Sequence, residues 1–234
     1  MKRTSLVIIA VLSIKLLSSV DLHAQAAHTS LTTNQERSAS APKQRRVKGR
    51  TLTSDVLPPI RIKFDKAFKY VGNQSFILYN SAQVEQFFFI AAAKGRIKRM
   101  FMVQFEGYLP DNTHTYNYNL SNTVKLGELD FMYDTSVVNV PAFRKQYPDS
   151  DAGRAAAFLE GKGYQLAGED IVYQRFVRLV DEARRNELLI IYYENLSGTG
   201  LTAADLSEKG RAAGQRDKVF QEVMKRALKG FTIL

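Results

Sequence analysis

The segment from 105 to 119, FEGYLPDNTHTYNYN, gathers acids, tyrosines and a histidine around a predicted turn. Glu106, Asp111 and His114 are residue types that accept and donate protons, which is what general acid–base catalysis requires. His114 is also the only histidine in the part of the chain that we expect to fold. These three residues are therefore the candidate catalytic groups of a small acid–base enzyme.

The tyrosines of the same segment suggest a second role, contact with a ligand. Functional side chains concentrate on loops, and a tyrosine offers both an aromatic face and a hydroxyl group. The candidate ligand-contacting residues are Tyr108, His114, Tyr116 and Tyr118. A third interpretation is structural, because Tyr116, Tyr118 and Leu120 alternate as in a strand whose rings pack on a sheet. The alternation favours this structural interpretation.

Other kinds of chemistry find little support in the sequence. The chain has no cysteine, so thiolate metal sites and cysteine nucleophiles are excluded. The acids at 149–151 and 169–170 lack the oxygen spacing of a calcium-binding loop and are better explained as helix and turn caps. There is no Gly-x-Ser-x-Gly motif, and Gly198-Thr199-Gly200 lacks the rest of a phosphate-binding loop. We therefore expect no metal and no cofactor.

Aromatic side chains are dense in the predicted strands. Phe87-Phe88-Phe89 places rings on both faces of one strand, and Tyr192-Tyr193 does the same in a later one. One face of such a sheet packs against helices, and the other either lines a ligand groove, forms a partner interface or packs internally. Internal packing is the commonest use of large aromatic residues and is the explanation we favour.

The basic residues are concentrated ahead of the aromatic part of the chain. The formal charge is +10, and residues 27–50 contribute +5 of it because they hold six basic residues and one acid. A flexible basic segment attracts polyanions through counterion release, and salt weakens the attraction. The candidate polyanion contacts are Arg37, Lys43, Arg45, Arg46, Lys48 and Arg50. The alternative is a solvated spacer.

Residues 1–26 have the pattern of a secretory signal peptide. Lys2 and Arg3 precede an apolar run at 5–14, and Ala24-Gln25-Ala26 predicts cleavage after Ala26. The run is too short to span a bilayer, and no longer one follows, so we expect no transmembrane segment in the mature chain. Export without disulfides favours a bacterial secreted or periplasmic protein.

The aromatic residues also mark the domain boundary. All 14 Phe and 11 Tyr lie between Phe64 and Phe231. Residues 27–58 contain few large apolar side chains, so their burial cannot offset the loss of chain entropy on folding. We therefore predict a disordered basic linker over 27–58 and a single globular domain over 59–234.

Alternation of apolar and polar residues predicts strands over most of this domain. They cover 60–64, 75–79, 83–92, 96–108, 124–133, 171–180 and 187–194. Helices are predicted after Asn139, at 152–162, from Thr202 and at 217–229. This pattern indicates an α+β fold: a curved antiparallel sheet of six or seven strands, packed on one face by helices, with an amphipathic helix at the C-terminal end.

The function predicted from these features is that of an exported, non-catalytic binding or interaction domain. Its partner is expected to be a small apolar or glycan ligand or a protein. One alternative is the acid–base enzyme centred on His114. The other is binding of a polyanion or an envelope surface through the basic segment 37–50.

Overall fold

The computed structural model describes residues 44–166 and 168–234. The predicted signal peptide, its cleavage after Ala26 and the first part of the predicted linker, with Arg37 and Lys43, lie outside the described residues. Export and the disorder of 27–43 therefore stay predictions. No helix among the described residues is long and apolar enough to cross a membrane.

The strands and helices follow one another in a simple order along the chain. The strands are β1 (Arg45–Lys48), β2 (Thr51–Ser54), β3 (Ile60–Phe64), β4 (Lys69–Leu78), β5 (Ala82–Ala93), β6 (Arg96–Tyr108), β7 (Thr123–Leu126), β8 (Leu129–Asn139), β9 (Gln165–Leu166), β10 (Asp170–Leu179), β11 (Asn186–Asn195) and β12 (Phe231–Ile233). The helices are α1 (Val140–Gln146), α2 (Asp151–Gly161) and α3 (Arg216–Lys229). Mostly antiparallel strands with separate helices confirm the α+β class and the helix at the C-terminal end.

The strands form two sheets. The larger has eight strands in the order β4-β5-β6-β11-β10-β8-β7, with the short β9 pairing in parallel beside β6, and it does not close into a barrel. The smaller has four strands in the order β1-β2-β3-β12. Its last strand comes from the far end of the chain, since Phe231 pairs with Phe64. The sequence predicted one sheet of six or seven strands, and the three-residue β12 gave no recognisable alternation.

The larger sheet is buried on both faces, and each face has its own hydrophobic core. Phe87, Phe89 and Phe101 belong to the first core, which the smaller sheet and α3 complete. Phe88 and Met102 point the other way into the second core, which α2 covers through Ala155 and Leu159. Helices therefore lie on both faces of the larger sheet, whereas the sequence predicted them on one face. Both faces are apolar because both carry a packed layer.

Local signals placed the helices well where a cap was present. The Asn139 side chain accepts a hydrogen bond from the Ala142 amide at 3.0 Å, and the Ser150 hydroxyl accepts one from Gly153 at 3.1 Å. The short helix predicted from Thr202 is absent; that stretch forms turns instead, although Thr202 and Asp205 exchange cap-like hydrogen bonds. A side-chain cap alone is thus not enough to start a helix.

Two predictions from the sequence need correction. The strand predicted over 124–133 is a hairpin of β7 and β8, because Gly127 adopts a left-handed conformation (φ +60°) and turns the chain. Residues 45–54, which belong to the predicted linker, form the hairpin β1-β2 rather than a disordered segment. Leu52 is fully buried there, and β2 pairs with β3. These two contacts stabilise a segment whose composition predicted disorder.

Gly153 gives a first test of this packing, because a Cβ atom at this position would lie 2.2 Å from the Pro148 carbonyl oxygen. We expect Gly153→Ala to destabilise the protein by about 1 to 3 kcal/mol, since the backbone must shift to accept the methyl group. Gly161→Ala in the same helix meets no atom within 4 Å and is expected to stabilise by about 0.5 to 1 kcal/mol. Urea unfolding of both variants measures the two effects. A change in the free energy of unfolding with the same sign in both variants would contradict the packing.

Candidate functional site

A cluster of buried carboxyl groups lies on the α2 face of the larger sheet. Glu106 on β6 and Glu187 on β11 are directly opposite each other in the antiparallel register. Asp151, the first residue of α2, is 1% exposed, and it shares the Gln104 amide as a hydrogen-bond donor with Glu106. Like charges directly across a sheet repel, so this arrangement is costly unless protons or hydrogen-bond donors compensate.

Two tyrosines bond the glutamates of the cluster. The Tyr116 hydroxyl donates to Oε1 of Glu106 at 2.9 Å, and the Tyr118 hydroxyl donates to Oε2 of Glu187 at 2.5 Å. Both belong to residues 109–122, which we call the tyrosine strap. Arg184 holds the strap through the Tyr116 carbonyl oxygen at 2.9 Å, and Arg185 through that of Leu109 at 2.8 Å.

A row of glutamines links the carboxyl cluster to the edge of the sheet. Gln74 donates to Gln86 at 2.7 Å, and Gln86 donates to Gln104 at 2.7 Å. The Gln104 amide nitrogen then donates to Glu106 at 2.6 Å and to Asp151 at 3.1 Å. Every amide thus points its nitrogen towards the next acceptor, and the chain of donors ends on carboxylate oxygens. Such a network stabilises a buried charge only where each member is satisfied.

Burial governs the protonation of these acids. Burial, followed by the charge of Asp151, raises the pKa of Glu106 to about 7. Burial, and next the charge of Glu106, raises the pKa of Glu187 well above its ordinary value. The pKa of Asp151 is also raised by burial, against the hydrogen bond from Gln104. The cluster therefore retains protons near neutral pH, as close carboxyl pairs do.

An ion pair flanks the cluster without neutralising it. Arg175 on β10 donates from Nε and from a terminal nitrogen to the two carboxylate oxygens of Asp134, at 2.8 and 3.0 Å. Burial disfavours the charge of Arg175, but the hydrogen bonds to Asp134 outweigh it and raise the pKa of the guanidinium group. The guanidinium also lies 5.5 Å from the centre of the Tyr118 ring. Its charge is thus already compensated by Asp134.

The chemistry open to this cluster is proton storage. Both oxygens of Glu106 accept hydrogen bonds from within the protein, and the strap covers the carboxyl pair. Within 44–166 and 168–234, no group of three or more His, Asp or Glu side chains is arranged to hold a metal ion. We therefore treat the cluster as an internal element of the domain.

The candidate catalytic residues from the sequence do not come together. Glu106 lies in the cluster, whereas Asp111 and His114 are exposed on the strap. Among the described residues, the His114 side chain makes no hydrogen bond or ion pair with a carboxylate; its backbone amide bonds Asn112. An acid–base pair with His114 at its centre is thus not supported by the geometry.

The candidate ligand-contacting tyrosines have internal partners. Tyr116 is 2% exposed, and Tyr108 stacks on it with ring centres 4.4 Å apart. Tyr118 is half-buried and bonds Glu187. The rings pack on the sheet, but residues 116–120, whose alternation resembles that of a strand, form no strand. The two-faced Phe87-Phe88-Phe89 run is likewise used in the two cores, with Phe88 stacked on Phe158.

The candidate polyanion contacts divide into two groups. Arg45 pairs with Glu85 at 2.9 Å and lies over the Phe105 ring, and Arg50 donates to the Phe64 carbonyl oxygen. These two guanidinium groups therefore have partners within the domain. Arg46 and Lys48 instead point outwards from β1 and are exposed.

Sequence patterns missed most of the cluster. Glu187, Gln86 and Gln104 are at most 3% exposed, yet polar residues in a strand are ordinarily assigned to the solvent face. The available indication was their spacing. Gln104 and Glu106 follow Met100 and Met102 at intervals of two residues, which places all four on the same face of the strand. An acid in phase with buried methionines signals a buried carboxyl.

The outer edge of the larger sheet is a second candidate site. β4 is ten residues long and pairs only with β5 among the described strands. Its single charged residue is Lys69, at one end. At the other end Ile77 is 38% and Tyr79 is 54% exposed, two of only five large hydrophobic residues exposed in the described chain. A long, uncharged edge strand offers backbone hydrogen-bonding groups to another strand.

Comparisons of the chain with protein-family models, with curated proteins and with solved structures found no match.

Proposed function

We propose that this protein is an exported, non-catalytic interaction domain that binds an extended segment of a partner protein along the edge of β4. Residues 1–26 would direct its export to the periplasm or the medium and be removed after Ala26. The bound segment would add one strand to the larger sheet, a recurring mode of peptide recognition.

The observation that carries this proposal is the combination of an unpaired edge with exposed apolar side chains. Every second residue of β4 turns its backbone N–H and C=O groups away from β5. Natural edge strands of this length usually carry inward charges, bulges or a covering loop along their length. β4 has one bulge, near Gly72, and then six uncharged residues up to Leu78.

A protein segment suits this edge better than a small apolar or glycan ligand. The aromatic side chains that would line a ligand site are packed in the two cores or bonded to the carboxyl cluster. What β4 offers is a row of backbone groups beside Ile77 and Tyr79, and an extended polypeptide matches both.

A peptide-display selection tests the proposal directly. Random ten-residue peptides are selected on the purified protein, and the amide hydrogen exchange of β4 is measured with and without the selected peptides. We expect slower exchange over 73–78 and a loss of affinity on the order of tenfold in Ile77→Lys, because an edge lysine opposes strand addition.

Leu228→Lys is the matched control, since Leu228 is 37% exposed and lies on α3. It introduces the same charge at the same exposure and should leave peptide affinity unchanged. Selected peptides that protect residues outside β4, or that bind both variants equally, would overturn the proposal.

A further inference from the structure

The smaller sheet has one apolar and one basic face. Its inward residues are buried in the first core: Leu52, Ile60, Ile62, Phe64 and Phe231. Its outward residues alternate with them and hold no acid: Arg46, Lys48, Thr51, Thr53, Arg61, Lys63 and Thr232. We call this outward set the basic face. It contains two of the cations from the basic segment and two that follow it.

The strand register places the four cations in a regular array. Thr53 lies opposite both Arg46 and Arg61 in one row. In the next row Thr51 lies opposite both Lys48 and Lys63. Neighbouring strands are about 4.8 Å apart and alternate residues about 7 Å apart along a strand. The cations therefore occupy the corners of a rectangle of about 7 by 10 Å, with threonine hydroxyl groups between them.

Most of this charge has no acidic partner within the described chain. Arg46 pairs with Asp55 at one corner of the face. Lys48, Arg61 and Lys63 form no ion pair with any described residue, and all three are exposed. Three uncompensated cations within about 12 Å repel one another, and an array of anions would offset this repulsion.

Two exposed leucines border the basic face at the same end. Leu57, 46% exposed, lies in the connection between β2 and β3. Leu234, 60% exposed, follows β12, and its amide bonds the Arg61 carbonyl oxygen at 2.9 Å. Cations beside exposed apolar side chains match the interface of a lipid bilayer, where phosphates lie above the acyl chains.

We propose that the basic face binds the surface of a membrane that contains anionic phospholipids. Lys48, Arg61 and Lys63 contact lipid phosphates, the threonine hydroxyl groups donate to them, and Leu57 and Leu234 enter the headgroup region. A bilayer is favoured over a single-stranded nucleic acid, because the face carries no aromatic side chain on which bases would stack. This site is separate from the β4 edge, so each stands or fails independently.

Vesicle sedimentation tests the assignment with the full chain. The probes are vesicles of phosphatidylcholine alone and of phosphatidylcholine with 30 mol% phosphatidylglycerol. We expect binding only to the anionic vesicles, weakened by salt, and a loss of affinity on the order of tenfold or more in Arg61→Gln/Lys63→Gln. Leu57→Ser is expected to weaken binding at high salt as well, since insertion is not electrostatic.

The control variant Lys98→Gln/Lys218→Gln removes the same charge from exposed positions outside the basic face and should bind as the wild type does. The single variant Lys48→Gln repeats the test should the double variant lose its cooperative unfolding transition. Equal binding by the basic-face and control variants would overturn the proposal. Binding to duplex or single-stranded DNA without binding to anionic vesicles would assign the face to nucleic acid instead.

Discussion

Replacing Glu106 by glutamine is expected to remove a large part of the pH dependence of stability. The pKa of Glu106 is raised from an ordinary 4.5 to about 7 in the folded protein. The folded state therefore binds more protons than the unfolded state between these values, and the free energy of unfolding falls as the pH rises through them. A shift of this size corresponds to about 3 kcal/mol lost by the wild type between pH 4.5 and pH 8.

Glutamine keeps the shape of the side chain and one of its two acceptor oxygens, and it carries no charge to bury. Glu106→Gln should consequently lose less stability than the wild type on going from pH 5 to pH 8. Some dependence will remain, since Glu187 is buried beside it with its own raised pKa. Urea unfolding at several pH values makes the measurement, with Glu128→Gln in the exposed β7-β8 turn as the control. Parallel pH profiles for all three proteins would contradict the buried carboxyl pair.

The second large effect concerns the ion pair between Arg175 and Asp134. Their side chains are 5% and 21% exposed, so removing the carboxylate leaves a guanidinium group buried without its partner. We expect Asp134→Ala to reduce the free energy of unfolding by about 3 to 5 kcal/mol. Tyr118, which lies under the same guanidinium and bonds Glu187, should lose its fixed position too.

The surface pair of Arg144 and Glu160 provides the comparison, since both side chains are more than one-third exposed. Glu160→Ala is expected to cost less than about 1 kcal/mol, because water replaces the lost partner. Denaturant unfolding of the two variants at pH 7 gives both values. A similar small loss in Asp134→Ala would mean that water reaches Arg175.

The parts of the fold that the sequence predicted are those with local causes. Alternation located β3, β5, β6, β10 and β11, and side-chain caps located α1 and α2. The hairpin β1-β2 was missed because its stability comes from β3 and from the contact of Arg45 with Phe105 rather than from its own composition. Pairing between distant strands is not encoded in any short window of sequence.

The candidate site divides in the same way. Glu106 was among the candidate residues, but its partner Glu187 is 81 positions along the chain and joins it only through strand pairing. His114 and Asp111 are close to Glu106 in sequence and yet lie on the outer side of the strap. Proximity along the chain thus selected the wrong partners, because a strap that crosses a sheet separates residues that neighbour one another in sequence.

The pairing of β12 with β3 determines the order in which the two cores can be completed during synthesis. The second core is built from residues between 71 and 193, so all its members have been made well before the chain reaches β12. The first core includes Leu52 and Phe231 and stays open until that last strand emerges. Until then the apolar face of the incomplete smaller sheet is exposed, which is a stage at which chains are prone to aggregate or to be bound by chaperones.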